Sequence, residues 1–391
     1  MAITEITSQS WGGRLKESIK GILVGIVFFV GAFPILWFNE GRAVRTEKSL
    51  KEGQGAVVDV QNDRVDPANE HKLVHMSGHA VTAEILNDPE FAVSSNAIKL
   101  KRTVEMYQWK ENKKEEERKK MGGGSEKITT YTYSKEWSTD PIDSSSFKES
   151  GHDNPGAFPF SQHEETAKEV SVGAFQLDDV LIGKMDAFDP VPVDAKALAA
   201  VPQETRAKLQ LNDGGFYMGE KPAEPAIGDT RVKFAAVMPQ DISVVALQAG
   251  KSFAAYHASA GMDIEMLRRG IIGAKQMFEM ALKENTILTW VLRGLGWFLM
   301  FLGLVLFFRP LSVVGDVVPM FGSFLAFGTG LAALAVSVVL SIGTVGVAWI
   351  VYRPVLGIAL LAAAIGLCVW VAISGKKRVA AKALSSAPTA A

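Results

Sequence analysis

Between Ile287 and Gly375 the chain runs for 89 residues with only four charges, Arg293, Arg309, Asp316 and Arg353. A domain folded in water presents charged side chains far more often, whereas hydrocarbon excludes them. The other 79 of the 83 charges lie on the remaining 302 residues. That is about 26%, an ordinary soluble share. The chain therefore combines a membrane block with a large water-exposed portion. The balance of 41 Lys+Arg against 42 Asp+Glu hides this segregation. It also argues against a nucleic-acid partner, which would call for a concentrated basic excess. The single cysteine, Cys368, excludes an internal disulfide framework and a multi-cysteine metal site.

Four spans are expected. Ile22 to Phe38 is uncharged, with Lys16 and Lys20 before it and Glu40 and Arg42 after it. Extended to residues 19–38, it reaches the roughly 20 residues that cross a bilayer. It ends in Trp37 and Phe38 rather than in small cleavage-site residues, so an uncleaved anchor is favoured over a signal peptide. Residues 287–308, closed by Arg309-Pro310, 324–349, with Pro319 outside, and 355–374 form the others. Arg14, Lys16 and Lys20 precede the first span, and Lys376, Lys377, Arg378 and Lys382 follow the last. The positive-inside rule then puts both tails, residues 1–18 and 375–391, in the cytosol and residues 39–286 outside it.

The outer segment reads as α+β. Val74, Met76, Val81, Ala83 and Ile85 suggest alternation, and Thr103 to Trp109 and Thr129 to Trp137 have strand composition, as do Arg231 to Val237 and Ile242 to Leu247. Between the second and third lie eleven residues, Lys110 to Lys120, ten of them charged, followed by Gly122, Gly123 and Gly124. A solvated, mobile hairpin end is favoured there over a docking tip. Residues 173–185 and 194–209 carry helical spacing broken by prolines. From Ile264 the apolar residues Leu267, Ile271, Ala274, Phe278 and Leu282 recur at steps of three or four, which predicts an amphipathic helix over 262–285. It would lie in the membrane interface or pack as a core helix, so Ile264, Leu267, Ile271 and Phe278 are candidate membrane or partner contacts, with Phe158 and Phe160 of the loop 151–160.

Catalytic signatures are sparse. His71, His75 and His79 recur every four residues, a metal-binding spacing on a helix. The flanking alternation favours a strand, in which residues four apart are separated by about 13 Å, too far to share an ion. His257 shows no carboxylate partner in sequence, and neither a G-x-S-x-G elbow nor a Walker A loop occurs. No cofactor is expected. Gly328 and Gly330 mimic a nucleotide fingerprint, but lie in an apolar span. With Ala333, Ser337, Ser341, Ala362 and Gly366 they fit close helix packing and self-association. Arg293 sits about one and a half turns into the second span, within snorkelling reach of the outer surface, and Asp316 is expected in a cytosolic loop. Neither marks a transport path.

Several words in order along the chain resemble one family. They are Asn39-Glu40-Gly41-Arg42-Ala43-Val44, Lys101 to Trp109, Tyr133 with Glu136-Trp137, Gly151 to Pro155, Gly228 to Val232, and Thr289-Trp290-Val291-Leu292-Arg293. Together they resemble the transmembrane protein 43 family, also called LUMA, over nearly the whole chain. The resemblance implies a non-catalytic organiser of membrane complexes that self-associates and has no established catalytic residues. In eukaryotes its members reside in the endoplasmic reticulum and inner nuclear membrane, in association with emerin and lamins. The Ala-rich tail, the charged tip and a sequon-free outer segment favour a bacterial inner membrane for this chain. The expectation is a four-span scaffold in the lipid bilayer. A membrane-embedded enzyme or metal-binding protein acting on lipid or envelope substrates is the alternative, and a channel or transporter subunit the second.

Overall fold

Val74, Met76 and Ala80 of one strand are buried on one face, and Leu73 and His75 on the other. A strand with apolar residues on both faces has to lie in the middle of a layered structure. The computed structural model, which describes residues 3–359, 362 and 363, shows those layers. The chain divides into two units. One comprises residues 1–9, 48–118 and 125–282; the other comprises Ser10–Glu47, Lys119–Gly124 and the chain from Lys283 onward.

The first unit holds eight strands that matter here: β1 (Ile3–Gln9), β2 (Leu73–Val81), β3 (Lys99–Lys119), β4 (Ser125–Ser138), β5 (Gly215–Met218), β6 (Thr230–Val237), β7 (Gln240–Ala249) and β8 (Met266–Arg269). One sheet runs in the order β1, β4, β3, β6, β5, with Gln210–Asn212 at its edge. A second sheet is built on β2 and β7, antiparallel with Met76 opposite Val244, and β8 pairs with β7. Val104, Phe216, Val232 and Phe234 of the first sheet meet Val74, Met76, Ile242 and Val244 of the second in one core around Phe91. The opposite face of the second sheet, Leu73 and Val245, packs on Leu50, Met277 and Phe278. Those three residues lie on long helices, α1 (Trp11–Ala56) and α2 (Ala274–Gly315), which contribute to both units.

The second unit is a helical bundle of α1, α2 and α3 (Pro319–Tyr352). All three helices are long and apolar enough to cross a membrane. Gly25 and Gly303 let α1 and α2 touch backbone to backbone: a Cβ on Gly25 would stand 2.7 Å from the Gly303 carbonyl oxygen. Small residues at such crossings permit the dispersion contacts that hold helices together in lipid.

The structure departs from expectation in several places. The three helices overrun the expected spans 19–38, 287–308 and 324–349. Pro34 and Pro310 sit inside helices, and Pro319 opens α3 at the first position, where proline's missing N–H costs nothing. Of the expected fourth span, 355–374, most residues, Gly366 among them, lie outside the described residues. No helix spans 262–285: residues 263–264 and 266–269 are strands, and α2 starts only at Ala274. Gly270, at φ +92°, ends the strand in a backbone conformation that side chains disfavour. The charged stretch 110–120 is no loose end either. β3 continues through it to Lys119, and Lys120 N–H donates to the Gly124 carbonyl at 2.8 Å across the turn.

Candidate functional site

The charge-poor bundle carries two polar clusters on α1, centred on Arg14 and Glu40. They are 26 residues apart, about 39 Å of helix at 1.5 Å per residue. That separation brackets a hydrocarbon core of about 30 Å. At the Glu40 cluster the Arg293 guanidinium donates to both oxygens of Glu40, Nε at 2.6 Å and Nη2 at 2.9 Å. Trp349 Nε1 donates to the same carboxylate at 2.7 Å, and Arg293 lies over the Trp290 ring, 4.7 Å from its centroid. Glu40 is 1% exposed. Next to it Arg42 donates to Asn285, Thr289 and Asn39, while Asn39 and Asn285 donate to the backbone carbonyls of Thr289 and Ala43. A Cβ on Gly41 would stand 2.7 Å from the outer edge of the Tyr352 ring, so the glycine lets that ring lie close against α1. Arg353 closes the same end on Glu47 at 2.5 Å.

At the other end Asp316, 1% exposed, accepts from Arg14 Nη2 and from Lys119 Nζ, each at 2.7 Å. Arg14 Nη1 also donates to the Gly123 carbonyl at 2.7 Å, and Trp11 Nε1 donates to the Val313 carbonyl at 2.9 Å. Gly122 and Gly123 have φ of +87° and +81°, and a Cβ on Gly123 would meet the Trp11 indole at 2.3 Å. Asp316 lies in the turn between α2 and α3, as expected of a loop residue, but it is buried and doubly paired. Arg14 was expected in the cytosolic tail and residues 119–124 outside the cytosol. Direct hydrogen bonds between them require that they share one membrane face.

The words of the outer segment also converge, but on packing. Asn154 completes the β3 edge, its side chain accepting from Trp109 N–H at 2.7 Å and donating to the Trp109 carbonyl at 2.9 Å. His152 stacks on Tyr133 at 3.9 Å. Arg231 pairs with Glu105 and lies over the Trp137 ring, and Asp229 accepts from Tyr217 Oη at 2.6 Å. Burial, and then this bond to Asp229, push the Tyr217 hydroxyl up.

The histidines separate. His75 Nδ1 lies 2.5 Å from Asp59 and Nε2 2.8 Å from the Ile272 carbonyl, which ties the ring into the helix-facing side of the second sheet. His79 pairs with Asp241 at 2.8 Å, and His71 lies before the strand at φ +60°. His257, expected to lack an acid, pairs with Asp263 at 2.5 Å. No three His, Cys, Asp or Glu side chains converge for a metal ion among the described residues. Phe158 and Phe160 are half-buried against the main core, Phe160 edge-on to Phe91 at 4.9 Å. Ile264, Leu267 and Phe278 are buried in the two cores, while Ile271 is exposed. Ala333, Ser337 and Ser341 are buried in the bundle; Gly328, Gly330 and Ala362 have open surroundings.

A carboxyl pair escaped sequence reading altogether. Burial, and then hydrogen bonding with Asp178, push Glu265 up to about 7. Its side chain is 10% exposed beside a cleft of about 440 Å³ lined by Lys184, Arg268 and Arg269. A carboxyl whose folded pKa exceeds its unfolded value favours folding while protonated. That stability is full below pH ~4.5 and is lost as pH rises to ~7. Glu265→Gln is expected to flatten this dependence and to stabilise the protein at pH 8 by about 1–3 kcal/mol. Unfolding of the purified full chain at pH 5 and pH 8 tests it; an unchanged pH slope in the variant would refute the assignment.

The model of the family described as Transmembrane protein 43 matches residues 106–354. Transmembrane protein 43 of Rattus norvegicus is 35% identical over 365 residues, covering 90% of each chain. The Homo sapiens protein of that name is 34% identical over 383 residues, 95% of this chain and 93% of its own. The Drosophila melanogaster homolog is 31% identical over 375 residues, 91% and 96%. No solved structure matches the chain. A membrane bundle with a strand-rich segment between its first two helices, aligned to these relatives over most of its length, makes this chain a member of the transmembrane protein 43 family.

Proposed function

We propose that the protein is a non-catalytic membrane scaffold whose strand-rich segment recruits other membrane proteins, and that it works as a homo-oligomer. The observation that supports this reading most is the satisfaction of the bundle's buried acids. Glu40 and Asp316 each have both oxygens engaged by side-chain donors. A transport path needs acids or carbonyls free to hold an ion in transit. Acids locked in pairs instead hold helices in register. A fourth crossing at residues 355–374 would return the C-terminal tail to the Arg14 face, and the positive-inside bias supports the cytosol for that face of a bacterial inner membrane.

Chemical crosslinking in the native membrane, followed by affinity purification in mild detergent, tests the reading. A species above monomer mass with co-purifying membrane proteins is expected. A strictly monomeric species with no partner would overturn it.

A further inference from the structure

Strand β8 pairs along only one of its edges. Leu267 and Arg269 stand opposite Val244 and Ile242 of β7, and no strand pairs with the other edge among the described residues. The segment 184–187, which follows the short helix Asp179–Gly183, borders the same cleft as β8. Lys184 Nζ ties the two together by donating to the Glu265 carbonyl at 2.5 Å. The space left between them is the cleft of about 440 Å³, with the buried Met185, Ile242 and Leu267 in its lining. Successive side chains of a strand point to opposite faces, so a cleft bordered by both Arg268 and Arg269 runs along the edge rather than on a face. We propose that this cleft is a binding site for a phosphoryl group, held by the guanidinium groups of Arg268 and Arg269 and by the Lys184 ammonium.

The charges of the lining set the sign of the ligand. Lys184, Arg268 and Arg269 stand against Asp186, with Glu265 the remaining ionisable group. Three cations against one acid favour a ligand with more than one negative charge. Guanidinium groups suit a tetrahedral oxyanion because their fork donates to two oxygens at once. Lys184 spends one of its three N–H donors on the Glu265 carbonyl and keeps two for a ligand. Arg269 also stands 3.7 Å from Asp189, but both are more than half exposed, and such a pair is weak enough to yield to a ligand. The volume is that of a small-molecule site. It leaves room for an organic group beside the phosphoryl, as in a phosphorylated metabolite or a lipid headgroup.

Glu265 points to the same ligand. Its side chain is 10% exposed and borders the cleft, yet its Oε1 is buried without a hydrogen-bond partner. A hydroxyl beside the phosphoryl group would supply the missing donor. The groups acting on Glu265 are Asp178, through a hydrogen bond, Lys184 and Asp263. Arg268, Arg269 and Asp186 share the cleft with it. Burial, and then Asp178, hold Glu265 neutral up to about pH 7. Neutral, it leaves the three cations dominant; ionised, it puts a second acid beside the ligand. Affinity is therefore full below that pH and falls as pH rises through it. By linkage, a bound anion holds the Glu265 proton to higher pH.

Sulfate, tetrahedral and doubly charged at both pH 6 and pH 8, is the probe. Titrated calorimetrically into the full chain in mild detergent at constant ionic strength, it is expected to bind at pH 6. At pH 8 its affinity should fall by up to about tenfold, the ratio of protonated Glu265 between the two conditions. Glu265→Gln should bind sulfate equally at both. Joining Arg268→Gln with Arg269→Gln should abolish binding. Should that protein not fold, Arg269→Gln alone, at an exposed position, should weaken binding several-fold. In phosphatidylcholine nanodiscs sulfate should bind as in detergent. Loss of sulfate binding when phosphatidylglycerol is added would assign the phosphoryl group to a lipid, and unchanged binding would assign it to a soluble ligand. No binding at pH 6, or an affinity that the arginine substitutions leave unchanged, overturns the site. A parent affinity equal at the two pH values removes Glu265 from it.

Discussion

Replacing Glu40 with Ala is expected to lower the stability of the folded protein by about 3–5 kcal/mol, among the largest effects available to a single substitution here. The cost does not come from losing an attraction in the abstract. Glu40 is almost wholly buried and receives three hydrogen bonds, two from Arg293 and one from Trp349. Without it the guanidinium remains inside the bundle with no counter-charge, and desolvation of that cation is no longer offset. Glu40→Gln keeps the shape and one acceptor, so its loss should be smaller. Joining Glu40→Leu with Arg293→Met should recover most of the stability, because an apolar pair of similar volume suits lipid as well as a buried ion pair does. Thermal unfolding of the detergent-purified full chain reads all three variants. A Glu40→Ala protein within about 1 kcal/mol of the parent would mean that water already solvates Arg293 and that the pair does not hold the helices.

Much of this was legible from residues alone, for identifiable reasons. Membrane helices announce themselves by missing charge, so the three described spans were visible although their ends were not. Strands β6 and β7 were visible because β-branched residues recur in short runs bounded by Gly228-Asp229 and Gly250. The stretch after Gly261 misled because strands there bury residues in two cores at once. Ile264 faces one core and Leu267 the other, and a spacing of three then imitates a helix. The site was hidden by distance. Asn39 to Arg42 and Thr289 to Arg293 stood out as words, yet nothing local says that Glu40 and Arg293, 253 positions apart, share two hydrogen bonds. A physical signal did exist. An acid at the end of the first apolar run and a lone arginine shortly inside the second lie at one membrane face, and opposite charges at equal depth seek each other. The Glu265–Asp178 pair had no such signal, because burial alone makes it unusual.

The opposite end of the bundle supplies the other large effect. Asp316→Ala is expected to cost about 3–5 kcal/mol and to release the turn 119–124, because two cations lose their shared acceptor at once. Arg14 would keep its bond to the Gly123 carbonyl, whereas Lys119, more exposed, can turn to water. Asp316→Asn should therefore hurt less than Asp316→Ala, and Lys119→Met much less than Arg14→Met. The same contacts dictate sidedness. With Cys368→Ala as background, cysteines placed at Gln9 and at the exposed Met121 should react with an impermeant maleimide from one and the same side of sealed membranes. Labelling from opposite sides would show that the turn 119–124 and the start of α1 never meet. The stability loss of Asp316→Ala would then have to come from Arg14 alone, and Lys119→Met would be silent. If both sites label together and Lys119→Met measurably loosens the turn, the turn 119–124 is held by the bundle through Asp316.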